Sequence, residues 1–131
     1  APDFDRSIDI RPMPREDVPL AAPHYGLLGD CTEFFYEQSA AGRLFGLYED
    51  GRLAGFIGLH HEGSMGMLEI LPEFRRRGYG FALEAFLIDW HLQRGWVPWC
   101  HVIDGNDAST ALQKKLGMTR ADWPDIWVFR D

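Results

Sequence analysis

Apolar and polar residues alternate over several short stretches of the chain and recur at helical spacing over others. Alternation over four to eight residues is typical of a strand, whereas apolar positions three or four residues apart indicate a helix. These patterns predict strands at residues 8–13, 44–49, 53–60, 67–71, 96–103 and 126–130. They predict helices at 31–41, 79–94 and 107–116, after a weakly helical region at 18–26. The predicted order is β-α-α-β-β-β-α-β-α-β, in a single domain over residues 1–131 whose first seven residues form a loose lead-in.

Two local signals support these boundaries. Asp50 and Gly51 join two alternating stretches, and an Asp-Gly pair in this position is a strong signal for a two-residue hairpin turn. Asp30, with Glu33 three residues later, forms a capping-box pattern at the start of a predicted helix. Because three consecutive strands are joined by short turns, the sequence predicts an α/β chain that is not a doubly wound parallel fold.

The composition is that of one soluble globular domain. Of the 131 residues, 46% are hydrophobic and 25% are charged, and a chain of this length buries one core. The formal net charge of -7 argues against general nucleic-acid binding, which draws its affinity from Lys and Arg. No apolar stretch approaches the ~20 residues of a membrane span, and nothing resembles a signal peptide, so we expect a cytoplasmic protein without a membrane partner. The first residue is Ala rather than Met, which leaves open the removal of a natural amino-terminal segment.

The cysteines and histidines give little indication of a metal site. Cys31 and Cys100 are the only cysteines, and we expect both to be free thiols. No spacing of Cys and His residues is typical of metal ligands, so no bound metal is expected. His60 and His61 follow a predicted strand and are expected to be solvated.

Residues 68–83 combine an apolar strand, a turn with three arginines and two glycines, and the start of a helix. Gly78 and Gly80 lack a Cβ, so the backbone can approach a ligand closely there. The first amides of the following helix have no partner within it and carry a partial positive charge, which suits a pyrophosphate. Residues 75–77 are all Arg and add formal positive charge. The stretch predicts a phosphate site, although a basic turn that only caps the helix has the same pattern.

Two familiar phosphate loops fit this stretch less well. A nucleoside triphosphate loop requires Lys followed by Ser or Thr after its last glycine, and this chain has neither there. A dinucleotide fingerprint requires a third glycine where Leu83 stands, although Asp104 lies at a suitable distance downstream. A dinucleotide-binding domain therefore stays open as a weaker alternative.

The motif Arg75-x-x-Gly78-x-Gly80 resembles the acyl-CoA pyrophosphate motif of the GNAT superfamily of N-acetyltransferases, Q/R-x-x-G-x-G/A. A second landmark of that family is an Asn followed by a helix that ends in Leu-Gly-Phe. This landmark is similar to residues 106–109, Asn-Asp-Ala-Ser, and residues 115–118, Lys-Leu-Gly-Met. Residues 94–102 and 123–129 look most like the glycine-N-acyltransferase-like branch. The resemblance implies a mixed, mostly antiparallel central sheet with helices on both faces. It also implies that the fourth and fifth strands separate to admit the pantetheine arm of coenzyme A.

The resemblance further implies where acetyl-CoA binds. The backbone of residues 68–70 would follow the pantetheine arm, and an N–H group near Ile70 would be the oxyanion donor. The pyrophosphate would lie on the amides of residues 76–81. Asn106 and Ser109 are candidate cofactor contacts, with capping of the following helix as the alternative role. The full set of predicted cofactor-binding residues is Leu68, Glu69, Ile70, Arg75, Arg76, Arg77, Gly78, Tyr79, Gly80, Phe81, Asn106 and Ser109.

Two residues are candidates for the general base that accepts the amine proton. His101 falls on the fifth strand where relatives often carry a Glu, and an imidazole with an unperturbed pKa near ~6.5 can accept a proton. Glu69 is the second candidate, although alternation places it on the opposite strand face from Leu68 and Ile70. The glycine-N-acyltransferase-like branch has its Glu three positions earlier, where this chain has Gly66.

The general acid expected from the resemblance is missing. It would be a tyrosine seven residues after Asn106, where this chain has Gln113. A thiol is acidic enough, with a pKa near ~8.5 for a free cysteine, for the thiolate to leave without help. Other candidates for the general acid are Tyr25, Tyr36 and Tyr79, and the sequence does not distinguish among them.

The leading hypothesis is an N-acyltransferase that moves an acetyl group from acetyl-CoA to a primary amine of a small molecule or peptide in a ternary complex. An acidic surface would tolerate a cationic amine. The alternative, favoured by Gln113 and the missing upstream Glu, is a domain that binds acyl-CoA without catalysis. The acceptor pocket would come from the early helices and the loops of residues 25–35. Four tryptophans could line that pocket or form a homodimer contact, although a buried core is the expected place for them: Trp96, Trp99, Trp123 and Trp127.

Overall fold

The computed structural model of the chain describes residues 7–25, 32–102, 106–121 and 125–129. In these residues seven strands form one mixed sheet with the order β1-β2-β3-β4-β5-β7-β6. Each neighbouring pair is antiparallel except β4 and β5, which are parallel. The strands are β1 (Ile8–Pro12), β2 (Leu44–Glu49), β3 (Arg52–Leu59), β4 (Met65–Ile70), β5 (Trp99–His101), β6 (Met118–Arg120) and β7 (Ile126–Phe129). The helices are α1 (Val18–Ala21), α2 (Thr32–Ala40), α3 (Tyr79–Gln93) and α4 (Asp107–Lys115), with 3₁₀ turns at Arg15–Asp17, Ala22–His24 and Pro72–Phe74.

The predicted α/β class and mixed sheet are confirmed, and the order of elements differs at the end of the chain. The strand predicted at 96–103 is shorter, because Trp96 and Val97 are 46% and 60% exposed and Pro98 has no N–H to donate to a sheet. Strand β6 was not predicted, since three residues after Gly117 are too few to display a period. Predictions for Asp30, Cys31, Asp104 and Trp123 fall outside the described residues.

The hairpin between β2 and β3 has the predicted turn. Glu49 pairs with Arg52, and the two residues between them, Asp50 and Gly51, have φ values of 49° and 83°. Two positive φ angles define the turn type whose twist matches that of two antiparallel strands. The Asp-Gly signal therefore fixes the register of the hairpin from which β4 continues the sheet.

Helices cover both faces of the sheet, as predicted. On the α3 face, Leu83 and Leu87 are fully buried in one core with Ile57. On the α1–α2 face, Phe35 packs edge-on against Phe56, with ring centroids 5.5 Å apart, in a second core. The two cores hold the sheet rigid on both sides, so the irregular features of β4 and β5 are held in place between them.

Candidate functional site

A cleft opens where β4 and β5 separate. In the described residues these strands are paired only between Met65 and Cys100. The predicted separation of the fourth and fifth strands is therefore present, and the cleft beyond the pair has a volume of about 350 Å³. Side chains and backbone from β4, β5, α3 and α4 line it, among them Gly66, Leu68, Glu84, His101, Ser109 and Gln113.

A bulge in β4 sets the direction of the backbone along this cleft. Met67 has a φ of 55°, and the register with β3 shifts beside it, which leaves an extra residue in β4. Beyond the bulge, the Leu71 N–H donates to the Ala54 carbonyl at 2.8 Å. Because alternate residues of a strand face the same neighbour, the Ile70 N–H points away from β3 and toward the cleft. This orientation is the one that the predicted oxyanion donor requires.

The loop between β4 and α3 presents backbone amides rather than side-chain caps. Gly78 is the residue before α3, with a left-handed φ of 80° and no side-chain hydrogen bond that caps the helix. A Cβ added at Gly80 would meet no atom within 4 Å, so the first turn of α3 faces open space. Phe74 is 3% exposed and anchors the loop in the core. The first amides of α3 have no partner within the helix, and this end of α3 is open to an anion. The phosphate site itself stays a prediction.

The three arginines of the loop have different surroundings. Arg75 donates to the Ile70 carbonyl at 3.1 Å and to the Glu69 carboxylate at 3.2 Å. Arg77 forms a 2.5 Å ion pair with Glu49, which raises the pKa of the Arg77 guanidinium. Arg76 is exposed, has a φ of 66°, and forms no ion pair within the described part of the chain. Arg75 and Arg77 therefore brace the loop, whereas Arg76 keeps its charge available for a ligand.

Substitutions of these arginines should separate binding from stability. Arg76→Ala is expected to weaken coenzyme A binding by about 10- to 100-fold, the equivalent of one charge-assisted hydrogen bond, without changing the melting temperature. Arg77→Ala removes one of the donors to the Glu49 carboxylate, another being the Tyr79 hydroxyl, so we expect it to lower the melting temperature as well. Calorimetric titration and thermal melts measure the two effects. Arg52→Ala, at an exposed arginine paired with Glu73, is the control and should change neither; equal effects of Arg76→Ala and Arg77→Ala would contradict this division.

The two predicted bases lie in different places. His101 lines the cleft from β5, is exposed, and packs against Trp99 with ring centroids 5.2 Å apart. Glu69 is held by Arg75, and its neighbours Leu68 and Ile70 pack on the α3 face, so alternation turns Glu69 to the other face as predicted. The geometry therefore favours His101 over Glu69 as a group that reaches the cleft.

A second imidazole at this place was missed by the sequence analysis. An ideal Cβ at Gly66 would lie only 2.0 Å from Nε2 of His60, so the His60 ring covers the backbone of Gly66. His60 is half-buried rather than fully solvated, whereas His61 is exposed and packs on Phe34. The available signal was a glycine in the strand that follows the histidine, but the contact depends on the register of the two strands.

A buried polar pair closes the cleft on the α3 face. Gln113 is 1% exposed, and its Nε2 donates to Oε1 of Glu84 at 3.0 Å. Burial raises the pKa of the Glu84 carboxyl, and the hydrogen bond from Gln113 opposes this effect. Cys100 is a free thiol, as predicted, and its burial raises its pKa to about 12. This thiol is therefore protonated and is not a nucleophile.

The remaining predicted contacts lie at the start of α4. The Asn106 side chain accepts a hydrogen bond from the Ser109 backbone N–H at 3.1 Å, so it caps the helix. Ser109 is half-buried and lines the cleft together with Asn106. In the described residues, no group of three or more His, Cys, Asp or Glu side chains is arranged to hold a metal ion. None of the described helices has both the length and the apolar character needed to cross a membrane.

Known structures share this fold over most of the chain. The ribosomal-protein-S18-alanine N-acetyltransferase from Escherichia coli is 22% identical with a TM-score of 0.76, over 94% of this chain and 93% of that chain. The PaiA N-acetyltransferase from Thermoplasma acidophilum, in complex with coenzyme A, is 17% identical with a TM-score of 0.73, over 93% and 96%. A GCN5-related N-acetyltransferase from Kribbella flavida, 12% identical with a TM-score of 0.71, is longer, since 90% of this chain covers 34% of it.

The sequence also matches a family model. No curated protein matches the sequence. Residues 10–118, which include the loop, the cleft and α4, match the model described as "Acetyltransferase (GNAT) family", without specifying a branch. The match extends over more than half of the chain, so the chain belongs to the GNAT family of acetyltransferases.

Proposed function

We propose that the protein transfers an acetyl group from acetyl-CoA to a primary amine of a small molecule or peptide, by direct attack in a ternary complex. The family supports an acetyl-CoA-dependent acyltransferase. The observation that carries the proposal is that one segment, β4 with the loop and α3 after it, supplies both the open first turn of α3, at Gly80, and a wall of the cleft between β4 and β5. A pyrophosphate and a pantetheine arm have the chemistry that these two features accept.

The residues present fit coenzyme A. The amides of residues 76–81 and the Arg76 guanidinium would hold the pyrophosphate, because they combine the positive end of the α3 dipole with a charge that forms no ion pair in the described residues. Residues 68–70 would align the pantetheine arm through their backbone. Asn106 and Ser109, at the opposite wall, complete the proposed contacts.

Catalysis would rest on polarising the thioester and accepting a proton. An N–H group directed into the cleft, as that of Ile70 is, stabilises the developing oxyanion. An imidazole at the cleft then takes the proton of the attacking amine, and His101 is the imidazole that the sequence singles out. Glu69 is a weaker candidate because its carboxylate is committed to Arg75. Since Gln113 is bound to Glu84, we propose that the thiolate leaves without a tyrosine acid.

Only the chemical class of the acceptor is proposed, and not a particular compound. The Escherichia coli relative is named for an alanine of a ribosomal protein, and we extend to this chain only a primary amine of a peptide or small molecule. The net charge of -7 suits a cationic amine and not a nucleic acid. The glycine-N-acyltransferase-like branch, a homodimer and a cytoplasmic location stay predictions.

Two measurements test the proposal against a domain that only binds acyl-CoA. Millimolar acetyl-CoA should raise the melting temperature by mass action, and the absence of any shift would remove the basis for both readings. Release of free thiol from acetyl-CoA, followed over a panel of primary amines, should exceed the rate without amine. A shift in melting temperature without thiol release from any amine would favour the binding domain.

A further inference from the structure

The imidazole of His60 fills the space that a side chain at position 66 would occupy. Because the ideal Cβ of Gly66 would lie 2.0 Å from Nε2 and 2.5 Å from Cδ2 of this ring, only a glycine leaves room for it. Gly66 itself lines the cleft, next to the Met65–Cys100 pair where β4 and β5 meet. The ring therefore packs on a residue of the cleft wall, although it comes from the end of β3.

In this proposal the acceptor approaches from the α1–α2 side of the sheet. The α3 face of the cleft is closed by the buried Glu84–Gln113 pair. Cys100 packs in the α3 core, so its neighbour His101 points to the α1–α2 face by strand alternation. An amine that approaches from the α1–α2 face meets the imidazoles before it reaches the cleft.

A carboxylate lies near both imidazoles. Glu62 accepts a hydrogen bond from the Ser64 hydroxyl, which is the main cause of its lowered pKa. The charges of His60 and His101 lower that pKa further, so both rings lie close enough to interact with Glu62. Glu62 is thus a described carboxylate that lies near His60.

We infer that His60 is the general base of the transfer, with its imidazole accepting the proton of the attacking amine. This inference rests on the proposed function. The amine nitrogen forms a bond to the acyl carbon, the carbon–sulfur bond breaks, and its electron pair goes to the sulfur. The proton lost by the nitrogen passes to the His60 imidazole and then to the departing thiolate or to water. The products are the amide and coenzyme A, with the imidazole returned to its neutral form.

His60 is better placed than His101 for this role. Its ring is half-buried and packed on the Gly66 backbone, whereas His101 is exposed. A base whose position is fixed before reaction loses less entropy in the transition state. His101, which lines the cleft from β5, then shapes the site beside Glu62 rather than accepting the proton.

Three variants test the inference in the full chain with acetyl-CoA and an amine that the wild type accepts. His60→Gln should lower kcat by about 100-fold, the lower end of what general base catalysis provides, and leave the melting-temperature shift with coenzyme A unchanged. His60→Ala should regain activity when imidazole is added to the buffer. His61→Gln, at the exposed neighbour that packs on Phe34, is the matched control and should keep the wild-type rate.

Gly66→Ala probes the geometry without removing an imidazole. Its Cβ would collide with the His60 ring and displace it, so kcat should fall although both histidines remain. The inference is overturned if His60→Gln keeps its rate within about threefold, or if His101→Gln alone abolishes the acidic limb of the pH profile. A wild type that binds coenzyme A but releases no thiol with any amine would overturn the proposed function and this inference with it.

Discussion

Replacing Gly80 with valine is expected to weaken coenzyme A binding by at least about 100-fold, or ~2.8 kcal/mol, while the fold stays intact. A Cβ at this position meets no protein atom within 4 Å, so the protein itself has room for the larger side chain. The space that the side chain would fill lies at the first turn of α3, where the bare amides face outward. Only a ligand that rests on those amides would be displaced.

The experiment compares affinity and stability in the same samples. Calorimetric titration with coenzyme A should show the loss, with an intermediate value for Gly80→Ala. The melting temperature without ligand should not fall, because valine has a slightly better helix propensity than glycine. Ala111→Val, at an exposed residue of α4 that does not line the cleft, should bind as the wild type does. Unchanged affinity in a folded Gly80→Val variant would refute the assignment of the loop.

The sequence predicts the features that have strong local signals. Strand β2 was predicted at its observed boundaries, because the Asp50-Gly51 turn ends it abruptly. Helix α3 was predicted within one residue, since its buried positions recur at helical spacing and Gly78 and Gly95 bound it. The phosphate loop follows from glycine, arginine and helix chemistry alone. Its accessibility in the structure agrees with this reasoning.

The parts that the sequence does not predict depend on pairing between distant segments. Met67 has a φ of 55° although it is not a glycine, and nothing in the sequence around it signals a bulge. The contact of His60 with Gly66 requires the register of β3 on β4, which that bulge alters. Strand β6 is too short to have a pattern and exists because β7 pairs with it. Long-range register is thus the information that local periodicity lacks.

The same limit applies to the role of Gln113. The family resemblance implies a tyrosine at position 113. In the structure the Gln113 side chain instead donates a hydrogen bond to the buried carboxyl of Glu84. Glu84 lies in the predicted helix that became α3, and the sequence analysis did not single it out. It is 6% exposed because α4 covers it and supplies the amide of Gln113.

Gln113→Leu is expected to destabilise the protein in a pH-dependent manner. Burial raises the folded-state pKa of Glu84 above its unfolded value, so folding stability falls as pH rises from ~4.3 through the folded-state pKa. Gln113 counteracts this loss, since its N–H group favours the ionised carboxyl. Without that hydrogen bond the folded-state pKa rises further, and the variant loses about 1–3 kcal/mol more than the wild type at pH 8. At pH 4, where the carboxyl is protonated in both states, the difference should be small.

Thermal melts of four proteins between pH 4 and pH 8 separate the charge from the packing. Glu84→Gln cannot ionise, so its stability relative to the wild type should increase with pH, the opposite trend to Gln113→Leu. The double variant Glu84→Gln/Gln113→Leu should lose the pH dependence assigned to this pair, because neither position then carries a titratable group. A Gln113→Leu penalty that is equal at pH 4 and pH 8 would show that the side chain acts through shape alone. Opposite pH trends for the two single variants would show that the buried Glu84 carboxyl ionises in the folded protein. They would also show that the hydrogen bond from Gln113 reduces the stability lost when it does so.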